Sequence, residues 1–121
     1  MVRVYRVNDT ESIDRGGYSA RYFADILFSK KLDSAGFIFV SIPSGMKTEP
    51  HVHAILEEIF IALTPVTVIV NNTSIDLQIG DIAIVQPGEH HSMQSRTMEE
   101  CRLVAIKFPN LEDDKNAFEF H

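Results

Sequence analysis

The chain has only one cysteine, Cys101, so an internal disulfide is excluded, and a lone thiol fits a reducing compartment or indifference to redox state. Cys101 lies in MEECRLVAIKF with no basic group placed to lower its pKa, which makes it a structural thiol. No apolar run approaches the roughly 18 residues of a transmembrane helix. The first residues, MVRVYRVNDTES, lack the continuous apolar stretch and small-residue cleavage site of a secretory signal. A cytoplasmic protein without membrane contact is expected. Basic residues are also scarce: 11 Lys and Arg face 17 Asp and Glu, a formal charge of −6, the wrong sign for neutralising a phosphate backbone. Nucleic acid is therefore not an expected partner. Repeats, low-complexity tracts and domain-splitting linkers are absent too.

What is present is the composition of an ordinary globular domain. At 121 residues the length argues for one domain, spanning 1–121, large enough to bury a core without staples. Short apolar runs recur at close spacing: FADILF (23–28), GFIFVSI (36–42), EIFIAL (58–63), VTVIV (66–70), SIDLQI (74–79), DIAIV (81–85) and RLVAIKF (102–108). They are rich in Ile, Val and Phe and bounded by Gly, Pro, Asn, Asp or Ser, the punctuation of strands and turns. Asn71-Asn72-Thr73 separates two of them, and asparagine tolerates the left-handed backbone of a tight hairpin. Gly80-Asp81 turns the chain into the next strand. The pattern predicts an all-β fold, a sandwich or barrel with few or no helices. FADILF fits one helical turn as well as a strand, and the acidic tail PNLEDDKNAFEFH reads as a surface segment ending in a short strand or packed aromatics.

From Ile59 to Val70 nearly every residue is apolar, whereas a sheet with one wet face alternates. Both faces of that strand are covered. The expected lid is a second copy of the chain, making a homodimer; the alternative is cover by the chain's own terminal segments.

Histidine is absent from the first fifty residues and then appears as His51, His53, His90, His91 and His121. In a strand the pair His51-x-His53 puts both imidazoles on one side, with Cα atoms about 6 to 7 Å apart, within reach of one ion. Glu57 and Glu58 follow at the start of an apolar strand, and PGEHHSM delivers a further imidazole from a second turn. Three imidazole nitrogens and one carboxylate suit a first-row divalent metal such as Fe, Mn, Ni, Zn or Cu. Either glutamate and either of His90 and His91 could complete the set.

The spacing carries a resemblance. Gly45-x5-His51-x-His53-x4-Glu58 resembles the first motif of the cupin superfamily, and Gly80-x5-Gln86-x-Gly88-x2-His91 resembles the second, in the right order and separated by a hairpin-sized insert over 66–79. The likeness covers about 36–108. It implies an antiparallel barrel of the double-stranded β-helix or jelly-roll type, usually dimeric, with the N-terminal 1–35 as an extra strand or lid. It also implies His51, His53, Glu58 and His91 as the ligands of one divalent transition metal, in preference to Glu57 and His90. Pro65, Gln86 and Ser95 depart from the motifs, all at turn or scaffold positions rather than ligand positions.

By strand alternation Glu58 shares its face with Phe60 and Ala62, and His91 shares one with Met93, so the candidate pocket around the metal is largely apolar. Lys47 and Arg96 flank the two motifs and are candidates for attracting an anionic group. The segment DRGGYSARYF (14–23), from Arg15 to Phe23 above all, is a candidate lid or partner contact. The resemblance implies a metal-dependent enzyme acting on a small organic molecule, of dioxygenase, decarboxylase or isomerase type. Its alternative is a non-catalytic module that senses or carries a sugar or other small ligand.

Overall fold

In chain order the strands are β1 (Arg3–Tyr5), β2 (Ile13–Asp14), β3 (Ser19–Ala20), β4 (Gly36–Ile42), β5 (His51–His53), β6 (Glu57–Ala62), β7 (Val66–Val70), β8 (Thr73–Leu77), β9 (Ile82–Val85), β10 (His91–Ser95), β11 (Cys101–Phe108) and β12 (Lys115–Ala117). They are drawn from a computed structural model that describes residues 2–28, 31, 33–111 and 114–117. Two five-stranded sheets form, in the orders β1-β9-β6-β11-β4 and β12-β5-β10-β7-β8, with β2 and β3 as a separate small hairpin. Every pairing is antiparallel. Among the described residues the only helical piece is a 3₁₀ turn, Val7–Asp9, and no helix is long and apolar enough to cross a membrane. The all-β expectation holds.

The two sheets share one core. Phe60, Ala62, Leu103 and Ala105 from the first sheet pack with Val66, Val68, Leu77 and Met93 from the second, and Cys101 is buried among them as a free thiol. Strand alternation selects these residues, since each strand sends every second side chain inward. The turn between β7 and β8 is two residues long: Asn71 and Asn72 adopt φ of 48° and 69°, and Thr73 pairs with Val70 instead of sitting in the loop. Two consecutive left-handed residues match the twist of a tight hairpin, and asparagine tolerates that conformation at low cost.

The unalternating strand β6 has its explanation inside the chain. Ile59 and Ile61 lie on the outer face with Ile82, Ile84 and Ile106, and Phe23, Ile26 and Phe28 pack over them. FADILF is thus neither helix nor strand but an irregular strap, and it supplies cover that the sequence had assigned to a second copy. Beyond its reach, edge strand β4 turns Phe37 and Phe39 outward, 72% and 62% exposed.

Two carboxylates fasten the ends of the chain. Asp81, buried at the Gly80 turn, accepts hydrogen bonds from the Gln78 and Val7 amides and from Arg6. Asp114 accepts from the Ile55 and Leu56 amides at 2.8 Å each, holding the loop that joins β5 to β6. The short final strand expected in the tail is β12, which pairs with β5. The expected packing of Phe118 and Phe120, together with His121, lies outside the described residues.

Candidate metal centre

The two motif segments meet across the core. His51 and His53 leave β5 on one side, His91 is paired directly with His51 in the neighbouring β10, and Glu58 faces them from β6 of the opposite sheet. Sequence distance is irrelevant to this meeting, because the shared core brings the two inner faces together. One ligand-capable atom from each of His51, His53, Glu58 and His91 lies within 4.8 Å of every other. His53, Glu58 and His91 are buried, and His51 is half-buried. These four residues could hold a metal ion.

Hydrogen bonds outside the cluster set the tautomers. His91 Nδ1 donates to the Glu89 carbonyl at 3.1 Å, and His51 Nδ1 donates to the Glu49 carbonyl at 3.2 Å. A carbonyl only accepts, so each of these rings carries a proton on Nδ1, and in its neutral, metal-binding form presents the Nε2 lone pair to the cluster. His91 Nε2 lies 3.3 Å from Glu58 Oε1, yet it is buried without a hydrogen-bond partner. With the ring neutral, His91 Nε2 and the Glu58 oxygen are two acceptors converging on one point, an arrangement that a cation between them satisfies. His53 Nε2 is 3.0 Å from the same oxygen, and its other nitrogen is buried with no partner.

Separations of this kind fit a common ion. Ligand atoms each about 2.0–2.2 Å from one metal and adjacent around it stand roughly 2.9–3.5 Å apart. The 3.0 and 3.3 Å contacts of Glu58 fall in that range. Burial by itself would raise the Glu58 carboxyl, but His53 and His91 beside it outweigh burial and hold it down at about 2. The carboxylate is thus ionised at neutral pH, as a ligand must be.

The competing residues go elsewhere. Glu57, one step along β6, points to the opposite face, where its Oε2 lies 3.7 Å from Arg3. The His90 amide donates to Asn71 Oδ1, and the His90 side chain lines a separate cavity of about 170 Å³ together with Lys47.

Beside the cluster opens a cavity of about 420 Å³, with His51, His53 and Glu58 in its wall. Phe60 and Met93 line it as expected from alternation, Ile38, Val40, Ala105 and Leu111 add further apolar wall, and Thr48 and Glu49 line it as well. Lys47 and Arg96, the cations expected there, do not line it. Lys47 faces the smaller cavity, and Arg96 is turned to Asp76 at 3.8 Å and to the Leu77 carbonyl. Lys47 bridges to Gln94 of β10 and Arg96 follows the end of that strand, and neither position reaches the cavity. The cation that does line it is Lys107 on β11, which motif reading missed. Its signal was in the alternation: Cys101, Leu103 and Ala105 point inward, and Lys107 continues that series.

Solved structures with the same architecture exist. A double-stranded β-helix protein from Klebsiella pneumoniae superimposes with a TM-score of 0.64 at 20% identity, over 69% of this chain and 70% of that one. A Cupin 2 conserved barrel domain protein from Salinispora arenicola gives 0.57 at 19% identity, over 69% and 70% of the two chains. This chain has the cupin fold. A DMSP lyase from Ruegeria pomeroyi also shares the cupin fold, with a TM-score of 0.63 at 20% identity over 71% of this chain, which spans 44% of that enzyme. No protein-family model matches the sequence, and no curated protein does.

Proposed function

We propose that His51, His53, Glu58 and His91 bind one divalent transition metal and that the protein is a metal-dependent enzyme acting on a small organic molecule. The observation that carries this reading is the convergence of one ligand-capable atom from each of the four residues to within 4.8 Å of one another, three of the residues being buried. Three nitrogens and one oxygen suit Fe, Mn, Ni, Zn or Cu. Such an ion supplies Lewis acidity and, for iron or manganese, redox chemistry, the requirements of a dioxygenase, decarboxylase or isomerase. The protein's own part is to hold the rings. The Glu89 and Glu49 carbonyls fix the His91 and His51 tautomers, and Glu58 balances the charge. Phe60 and Met93 keep the adjoining cavity dry and shaped.

Support for catalysis over passive ligand carriage comes from the placement of that cavity, which opens directly onto three of the four ligands. The DMSP lyase of like fold is an enzyme, although a shared fold hosts many chemistries. The test is elemental analysis of protein purified without added metal, beside a variant with His51 and His53 both changed to alanine. One equivalent of metal in the wild type and none in the variant is the expected result. Metal retained by the variant, or absent from the wild type, overturns the reading. We also read the protein as a homodimer in solution, with edge strand β4 and its outward Phe37 and Phe39 as the contact surface.

A further inference from the structure

The wall of the larger cavity sets a cation, Lys107, among apolar side chains, with Glu49 and three of the four cluster residues in the same wall. Lys107 sits on β11 at an inward position, directly across from Glu58 in the β6–β11 register. Inward positions of a core strand are apolar unless the charge has a use, because ordering and desolvating a lysine is costly. Lys107 does not use its charge to neutralise Glu58. Its ammonium donates instead to the Leu111 carbonyl at 2.9 Å, and among the described residues no carboxylate is ion-paired with it. An ammonium has three donors, and a carbonyl takes one. The remaining donors are available to an occupant of the cavity that Lys107 lines.

We propose that Lys107 is a substrate-binding residue, and that the cavity takes a small monoanionic organic acid. Its carboxylate is held by Lys107, and its apolar body lies against Phe60, Met93 and Leu111, beside the metal ligands. The inference rests on the metal-site reading for its chemistry but has its own evidence in the charge and shape of the cavity. About 420 Å³ holds an aromatic or branched acid of modest size with room for the metal's remaining positions. The other acids in the wall discriminate against a second negative group: Glu58 is committed to the histidines, and Glu49 stands exposed at the rim. A dianion meets Glu49; a neutral molecule leaves the charge of Lys107 unbalanced.

The test titrates metal-loaded protein with benzoate and with benzamide, its neutral isostere, by calorimetry, and measures metal content on the same samples. The wild type is expected to bind benzoate about tenfold or more tightly than benzamide, the worth of one charge-assisted hydrogen bond. Lys107→Met is expected to abolish that preference while holding the same metal and binding benzamide unchanged, and Lys107→Arg is expected to keep it. If Lys107→Met does not fold, Lys107→Gln makes the same comparison, since its amide still reaches toward the Leu111 carbonyl. Benzoate bound equally well by wild type and the neutral variant, or not bound by the wild type at all, overturns the proposal. A wild type without metal overturns the metal reading instead, and the benzoate-to-benzamide comparison across the variants still decides the role of Lys107.

Discussion

Replacing Asp81 by alanine removes the carboxylate that ties the N-terminal segment to the turn between β8 and β9. The side chain is 3% exposed and accepts from the Gln78 amide at 2.8 Å, the Val7 amide at 3.1 Å and Arg6 at 2.8 Å. The Arg6 side chain is 39% exposed, so water takes over much of that bond and the ion pair itself adds little. The two amide bonds to an ionised acceptor carry the loss, at about 1.5 kcal/mol each, or about 3 kcal/mol together. For a domain of this length that corresponds to a fall in Tm of about 12 °C, at about 4 °C per kcal/mol. Arg6→Ala is expected to cost less than about 1 kcal/mol.

The same carboxylate makes the effect depend on pH. Burial raises the Asp81 carboxyl, but the Gln78 amide, Arg6 and the Val7 amide outweigh burial and bring it below its ordinary value. A group depressed in the folded state contributes stability above its unfolded pKa, about 3.9, and loses it as pH falls through the lower folded value. Urea unfolding followed by circular dichroism should therefore show a gap between wild type and Asp81→Ala that is constant from neutrality to about pH 5 and narrows below about pH 4. A cost for Asp81→Ala no greater than that of Arg6→Ala, or a gap that does not narrow in acid, refutes the reasoning.

Two further outcomes follow from the backbone and the surface. Asn71→Val forces a β-branched residue to a φ of 48° and should destabilise by about 1–2 kcal/mol in the same unfolding assay; a neutral result would mean the hairpin can change its turn type. Phe37→Asp combined with Phe39→Asp, both on exposed outward positions, should convert the proposed dimer to a folded monomer by sedimentation equilibrium with metal content unchanged. A wild type that sediments as a monomer refutes the dimer directly.

Strands β4, β6, β7, β9 and β11 were legible in the sequence within a residue or two, because their apolar runs are dense and end at Gly, Asn or Asp. The short strands β1, β2 and β3 were not assigned from local pattern, and β12 only as one of two readings of the tail, since two or three residues carry no period and depend on the neighbour they pair with. The strap over residues 23–28 was ambiguous for the same reason: its apolar spacing answers to the isoleucines it covers rather than to any period of its own.

By itself, the sequence determined the all-β class and the two segments that deliver histidines, because residue spacing along strands decides which side chains share a face; the choice of Glu58 over Glu57 and His91 over His90 came from the resemblance to the cupin motifs. Only the tertiary structure decided what those residues can do. Packing two sheets together set His91 Nε2 against Glu58 Oε1 at 3.3 Å, sent Glu57 to the opposite face toward Arg3, and carried Lys47 and Arg96 away from the cavity while turning Lys107 into it. The physical reason is that a strand's two faces are set by local geometry, whereas what each face meets depends on a partner strand far away in the chain.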